Sequence, residues 1–207
     1  MIDRWNELWQ KLGAANKMEN LFYQLTNAYN EKNRAYHNMG HIKLCLKEFD
    51  QVKVRLKNHL EVELAIWFHD VIYDPKSVTN EEESAAFAVV ELQKADITCI
   101  CIDTVRDLIL ATKHDRSINT SDAEFLVDID LSILGYPPGI YKEYEKNIRK
   151  EYEWVPETIY REKRKELLMS FLGRDKIYYT KAFSNQYERQ SRFNLEETIK
   201  SLFASNL

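Results

Sequence analysis

A chain of 207 residues, 44% hydrophobic and 30% charged, is long enough for one sizeable core. Its net charge of −4 supplies no field that would gather nucleic acid in bulk. No apolar run approaches the roughly 18 residues of a membrane span, and the N-terminus lacks a signal-peptide core, so no membrane partner and a cytoplasmic location are expected.

Five glycines and four prolines stand against abundant Leu, Ala, Glu, Lys and Arg, and apolar residues recur at three- and four-residue steps. This predicts helices nearly throughout: an all-α, single-domain bundle over residues 1–207. Trp5, Leu8, Trp9 and Leu12 have helical spacing, and a second helix is predicted over residues 18–30 with Leu21, Phe22 and Leu25 on its buried side. A third runs from His41 to about residue 57 on a stripe of Leu44, Cys45, Phe49 and Val52. Residues 60 to about 72 are apolar almost all round, at Leu64, Ala65, Ile66, Trp67 and Phe68, which marks a central helix. Pro75 makes residues 73–77 a loop. Thr79 and Glu82 have the capping-box spacing and start a helix to about residue 95; another follows from about Thr98 to Thr112. Ser121 and Glu124 repeat the spacing at the head of a helix that stops at Gly135. After the break Tyr136-Pro137-Pro138-Gly139 the helical period resumes, with helices predicted over about 140–154, 156–172 and 187–203 and no linker composition between them. Three cysteines, Cys45, Cys99 and Cys101, have no C-x-x-C spacing and are expected to be buried free thiols.

Three of the five histidines and an acid fall in two places. His37 and His41 lie in Tyr36-His37-Asn38-Met39-Gly40-His41, and His69-Asp70 ends the most apolar helix, where an unpaired charge is costly and a metal ion removes the penalty. Asp130, in Val127-Asp128-Ile129-Asp130-Leu131-Ser132, is the best further ligand. Two histidines and two aspartates suit Zn, Mn, Fe, Co or Ni and leave positions open for water and substrate. If the helix carrying His41 begins before His37, the two side chains share a face, about 5–6 Å apart at Cβ, so that one can bind metal and the other handle a proton. Asp128 cannot share a helical face with Asp130 and reads as a cap or a supporting group. His59 is expected at the surface, and His114 at the C-terminal end of its helix.

The order His41, His69-Asp70, Asp130 resembles the HD superfamily of metal-dependent phosphohydrolases across most of the chain. Tyr36-His37-Asn38 with His41 is similar to the matching segment of the cyclic-nucleotide phosphodiesterases, where the first histidine donates a proton to the leaving group and the second binds metal. Asp130-Leu131-Ser132 is similar to their distal Asp-Leu-Ser. Trp67-Phe68-His69-Asp70 with Tyr73, Asn80-Glu81 with Ser84-Ala85, Thr112-Lys113-His114, Asp128 with Asp130-Leu131-Ser132 and Leu134-Gly135, and Phe171-Leu172 with Arg174 and Ile177-Tyr178 resemble a bacterial group of HD phosphohydrolases more closely.

The resemblance implies an HD-type bundle with extra C-terminal helices, His41, His69, Asp70 and Asp130 as metal ligands, and His37 as proton donor. Many two-metal HD proteins have His-Glu where this chain has Asn80-Glu81, and His-His where it has Lys113-His114. Amide and ammonium do not replace imidazole, so one tightly held divalent ion is implied, from among Mn, Co, Ni, Fe, Zn and Mg. The implied reaction is hydrolysis of a phosphoester, a nucleotide or another small phosphorylated metabolite, by metal-activated water. Asp70 or Asp130, or a neighbouring carboxylate such as Glu81, would take the water's proton, His37 would protonate the departing alkoxide, and Lys113, Arg149 or Arg161 would neutralise phosphate charge. The alternative is a non-hydrolytic module that senses nucleotide or metabolite through its metal. A homodimer is left open.

Overall fold

The computed structural model describes residues 1–14, 18–95, 97, 99–114 and 118–204, which form ten α-helices and no strand. They are α1 (Ile2–Lys11), α2 (Glu19–Tyr29), α3 (Met39–Val52), α4 (His59–Phe68), α5 (Asn80–Lys94), α6 (Ile102–Ala111), α7 (Ser121–Asp130), α8 (Pro138–Glu151), α9 (Glu157–Leu172) and α10 (Lys181–Phe203). The all-α expectation holds. Two compact units are formed, residues 1–127 and 128–207, and the division falls inside α7.

The first unit is built on α4. Every residue from Glu61 to Phe68 is buried, as an all-round apolar helix requires, and α3, α5 and α6 pack against it. Trp67 meets the edge of Trp5 at 5.2 Å between ring centroids, and Trp5 also contacts Trp9 and Phe22. Burying side chains of this size stabilises the fold by roughly 1.5–3 kcal/mol each. At the other end of α4, the Asp122 carboxylate accepts from the amides of Lys57 and Asn58 and from the Asn58 side chain, each at 2.9 Å. The Asn58 amide is an unpaired donor at the helix start, so one buried acid from α7 holds the chain where α4 begins.

In the second unit, α10 lies over the 3₁₀ turn Leu131–Gly135. A Cβ on Gly135 would stand 2.4 Å from Cβ of Tyr187, so only glycine admits this approach. Asn194 donates to the carbonyls of Leu134 and Tyr136, and the fully buried Asp128 accepts from the amides of Tyr179 and Thr180 ahead of α10. Asp128 is therefore a supporting cap.

Several boundaries move from their sequence-based positions. The third helix ends at Val52 and tightens into a 3₁₀ turn, Lys53–Arg55. The last helix starts at Lys181, six residues before the expected 187, because the Thr180 hydroxyl caps it by accepting from the Phe183 amide. Thr79 precedes α5, but its hydroxyl bonds to Glu83 and Glu82 turns to Lys113, so no capping box forms there. At α7 the cap is Thr120, which accepts from the Ala123 amide, one residue ahead of the expected Ser121. The expected helix start at Thr98 lies outside the described residues. Cys45 is buried as expected, whereas Cys99 and Cys101 are exposed: they lie in the connection between α5 and α6, outside any apolar stripe.

Candidate metal centre

Helix α4 ends at Phe68, and its end and the residues that follow are held by side chains from two other helices, α2 and α5, and a loop. A helix end leaves carbonyls without partners. Tyr29 donates its hydroxyl to the Trp67 carbonyl at 3.0 Å, and the buried Arg34 guanidinium donates to the carbonyls of Asp70 and Val71. Ser84 of α5 accepts from the Ile72 amide and donates to its carbonyl. Arg34 also donates to the His37 carbonyl at 3.4 Å and lies against the rings of Tyr29 and Tyr73. One cation therefore ties the His37 loop to the corner that carries His69 and Asp70.

Three ligand atoms converge there. Nε2 of His41 is 3.1 Å from Nε2 of His69, and Oδ2 of Asp70 is 3.2 Å from the His69 nitrogen and 3.6 Å from the His41 nitrogen. Two nitrogens bound at 2.0–2.1 Å to a shared ion stand about 3.0 Å apart at a right angle and about 3.4 Å at the tetrahedral angle. The triangle fits a divalent ion. His69 is also set in the right tautomer: its Nδ1 lies 3.0 Å from the Ile66 carbonyl, which only accepts, so Nδ1 carries the proton and the Nε2 lone pair faces the site. Burial alone would raise the Asp70 carboxyl. Once His69 takes up a second proton at Nε2, its charge and hydrogen bond, with the charges of His37 and His41, outweigh burial and hold the carboxyl well below the usual range.

His41, Cys45 and His69 of the first unit each offer a ligand atom, and these atoms lie within 4.8 Å of one another. Asp130 is the last residue of α7 and belongs to the second unit. Cys45 is an addition that the sequence reading passed over, although it stands four residues after His41 on α3, the spacing of helical neighbours. Its Sγ is 3.6 Å from Nε2 and 3.8 Å from Nδ1 of His41, so it flanks the ring rather than facing the Nε2 lone pair.

His37 is not on the helix of His41. Asn38 caps α3 by accepting from the Gly40 amide at 2.7 Å, and the helix begins at Met39. The loop nevertheless brings the two rings to 6.0 Å, and Tyr73 stacks on His37 at 4.3 Å. Burial raises the Glu81 carboxyl, and the Asp70 charge adds to this, with Lys113 partly offsetting it. Lys113 donates to the Val78 carbonyl and pairs with Glu82. Asn80 closes the loop by accepting from the Asp74 amide and donating to its carbonyl. In the second unit Arg149 and Arg161 share Glu157, and in the first His59 is exposed.

No protein-family model, curated protein or solved structure matches the chain. What stands is a buried His/Cys/His cluster with the Asp70 carboxylate beside it, compatible with a metal ion, in an all-helical fold. No helix among the described residues is long and apolar enough to cross a membrane.

Proposed function

We propose that the protein is a metal-dependent phosphohydrolase of the HD type, acting on a nucleotide or another small phosphorylated metabolite. The observation that carries the metal reading is the triangle of His41 Nε2, His69 Nε2 and Asp70 Oδ2, with sides of 3.1, 3.2 and 3.6 Å. The class of reaction rests on the resemblance of the motifs around it. His41, His69, Asp70 and Asp130 would hold one divalent ion. When bound, such an ion supplies Lewis acidity and lowers the pKa of water toward neutrality. One ion is favoured because Asn80 is engaged in closing its own loop and Lys113 is an ammonium.

The remaining work falls to side chains beside the ligands. His37, steadied by the stacked Tyr73 ring, protonates the departing alkoxide, a task an imidazolium can perform. Glu81, whose carboxyl is more basic than an exposed one, accepts the proton of the attacking water. Lys113 exchanges Glu82 for a phosphate oxygen when substrate arrives.

The test is phosphate release from a panel of nucleotides and a generic aryl phosphate by protein stripped and reloaded with Mn, Co, Ni, Zn or Mg. Turnover that requires metal, and that His69→Ala abolishes together with metal binding, supports the reading. Metal-loaded protein that binds a nucleotide but turns over nothing in the panel overturns it in favour of a sensing module.

A further inference from the structure

Two thiols share one short segment well outside the set of metal-ligating side chains. Cys99 and Cys101 are both exposed and separated by one residue. Cys101 is the N-cap of α6, with φ −94° and ψ 107°, and its backbone is fixed on both sides. Its amide donates to the Glu61 carboxylate at 3.4 Å, and its carbonyl accepts from the amides of Thr104 and Val105. The main chain is held, while the sulfur is open to solvent. Although Sγ makes no full capping hydrogen bond, the Thr104 hydroxyl first, and then the amides of Thr104 and Asp103, favour its thiolate and lower the thiol's pKa.

Cys99 differs from it. Its Sγ donates to the Leu12 carbonyl at 3.1 Å, and the residue stays exposed. Residues two apart in a non-helical segment place their Cα atoms roughly 5.5–7 Å apart, which overlaps the range that a disulfide spans. Cys45, buried beside His41, is an internal reference that solvent does not reach.

We propose that Cys99 and Cys101 form a thiol–disulfide exchange site that takes a low-molecular-weight disulfide, with Cys101 attacking and Cys99 resolving. Cys101 gives its proton to solvent, and its sulfur bonds to one sulfur of the small disulfide. The S–S bond of that molecule breaks and one small thiolate leaves. Cys99 then releases the Leu12 carbonyl, loses its proton and bonds to Sγ of Cys101, displacing the second small thiolate. Two protein thiols are oxidised by two electrons, one small disulfide is reduced, and each departing thiolate takes up a proton.

The experiment uses the full chain, reduced and then freed of reductant, with an aromatic disulfide reagent as kinetic probe and oxidised glutathione as substrate. One thiol is expected to react about tenfold or more faster than the others. Cys101→Ser removes this fast phase, whereas Cys45→Ser leaves it intact. After oxidised glutathione, wild-type protein loses two hydrogens in mass and carries no adduct, while Cys99→Ser keeps a single glutathione adduct. Circular dichroism checks that each variant is folded; because both thiols are exposed, the serine variants should keep the wild-type spectrum. Equal reaction of all thiols, a fast phase that follows Cys45, or a wild-type protein that stops at the adduct overturns the proposal.

Discussion

Buried charge is handled in two ways in this molecule. In the second unit, Arg164 is buried on α9, yet every charge beside it is answered within the chain. It forms a two-pronged pair with Glu145, donates to the Tyr144 hydroxyl, and Tyr141 donates to the same carboxylate at 2.6 Å. In the first unit, His41, His69 and Asp70 bring acceptor atoms to within 3.1–3.6 Å of one another. The surrounding donors, Arg34, Tyr29 and Ser84, are committed to backbone carbonyls. The first network is closed and holds a fold together. The second is compatible with a bound cation.

That contrast can be broken from either side. The largest effect is expected at His69: alanine there should remove tight metal binding altogether and with it any turnover, while the apo fold melts close to wild type. Breaking the closed network should do the reverse. Glu145→Ala leaves Arg164 buried without its carboxylate and should cost about 3–5 kcal/mol of stability, read by denaturant unfolding, with metal affinity unchanged. His37→Ala should keep the metal and lower turnover by about 10²–10⁴-fold, which a metal titration beside a rate assay separates from ligand loss. Arg34→Ala lies between the two classes. It strips the carbonyls of Asp70 and Val71 of their donor and should destabilise by about 1–3 kcal/mol while weakening metal binding, since it both seals a helix end and sets the site.

The smallest effect is one of pH. A bound metal excludes protons from its ligands, so metal affinity should fall as pH is lowered. Asp70 behaves differently. Its folded-state pKa is depressed, so its contribution to stability is present above the unfolded value of about 3.9 and is lost only as pH falls below it, toward the folded value. Isothermal titrations and melting curves across pH 4–8 should therefore show metal release well before the apo fold weakens.

The helical fold and the heart of the site were legible because each leaves a local trace. An all-round apolar run such as Leu64–Ala65–Ile66–Trp67–Phe68 has no stable place but the centre, and a histidine and an acid at its end invite an explanation. What escaped was set at long range. Nothing near Arg34 in the chain indicates that its guanidinium will cap carbonyls 36 and 37 residues away. Ser121 carries the capping pattern, but Thr120 takes the role, and the neighbouring Asp122 is drawn to the start of α4 instead. His37 reached the site through a loop held by Arg34 and Tyr73, where helical spacing from His41 had been the expected route.

The most direct test of the account is the metal content and affinity of the chain itself. Protein stripped with chelator and titrated with Mn, Co or Zn should take up one ion per chain tightly, His69→Ala should take up none at the same concentrations, and Glu145→Ala should match wild type. Wild-type protein that binds no ion tightly, or His69→Ala protein that binds as wild type does, would contradict it.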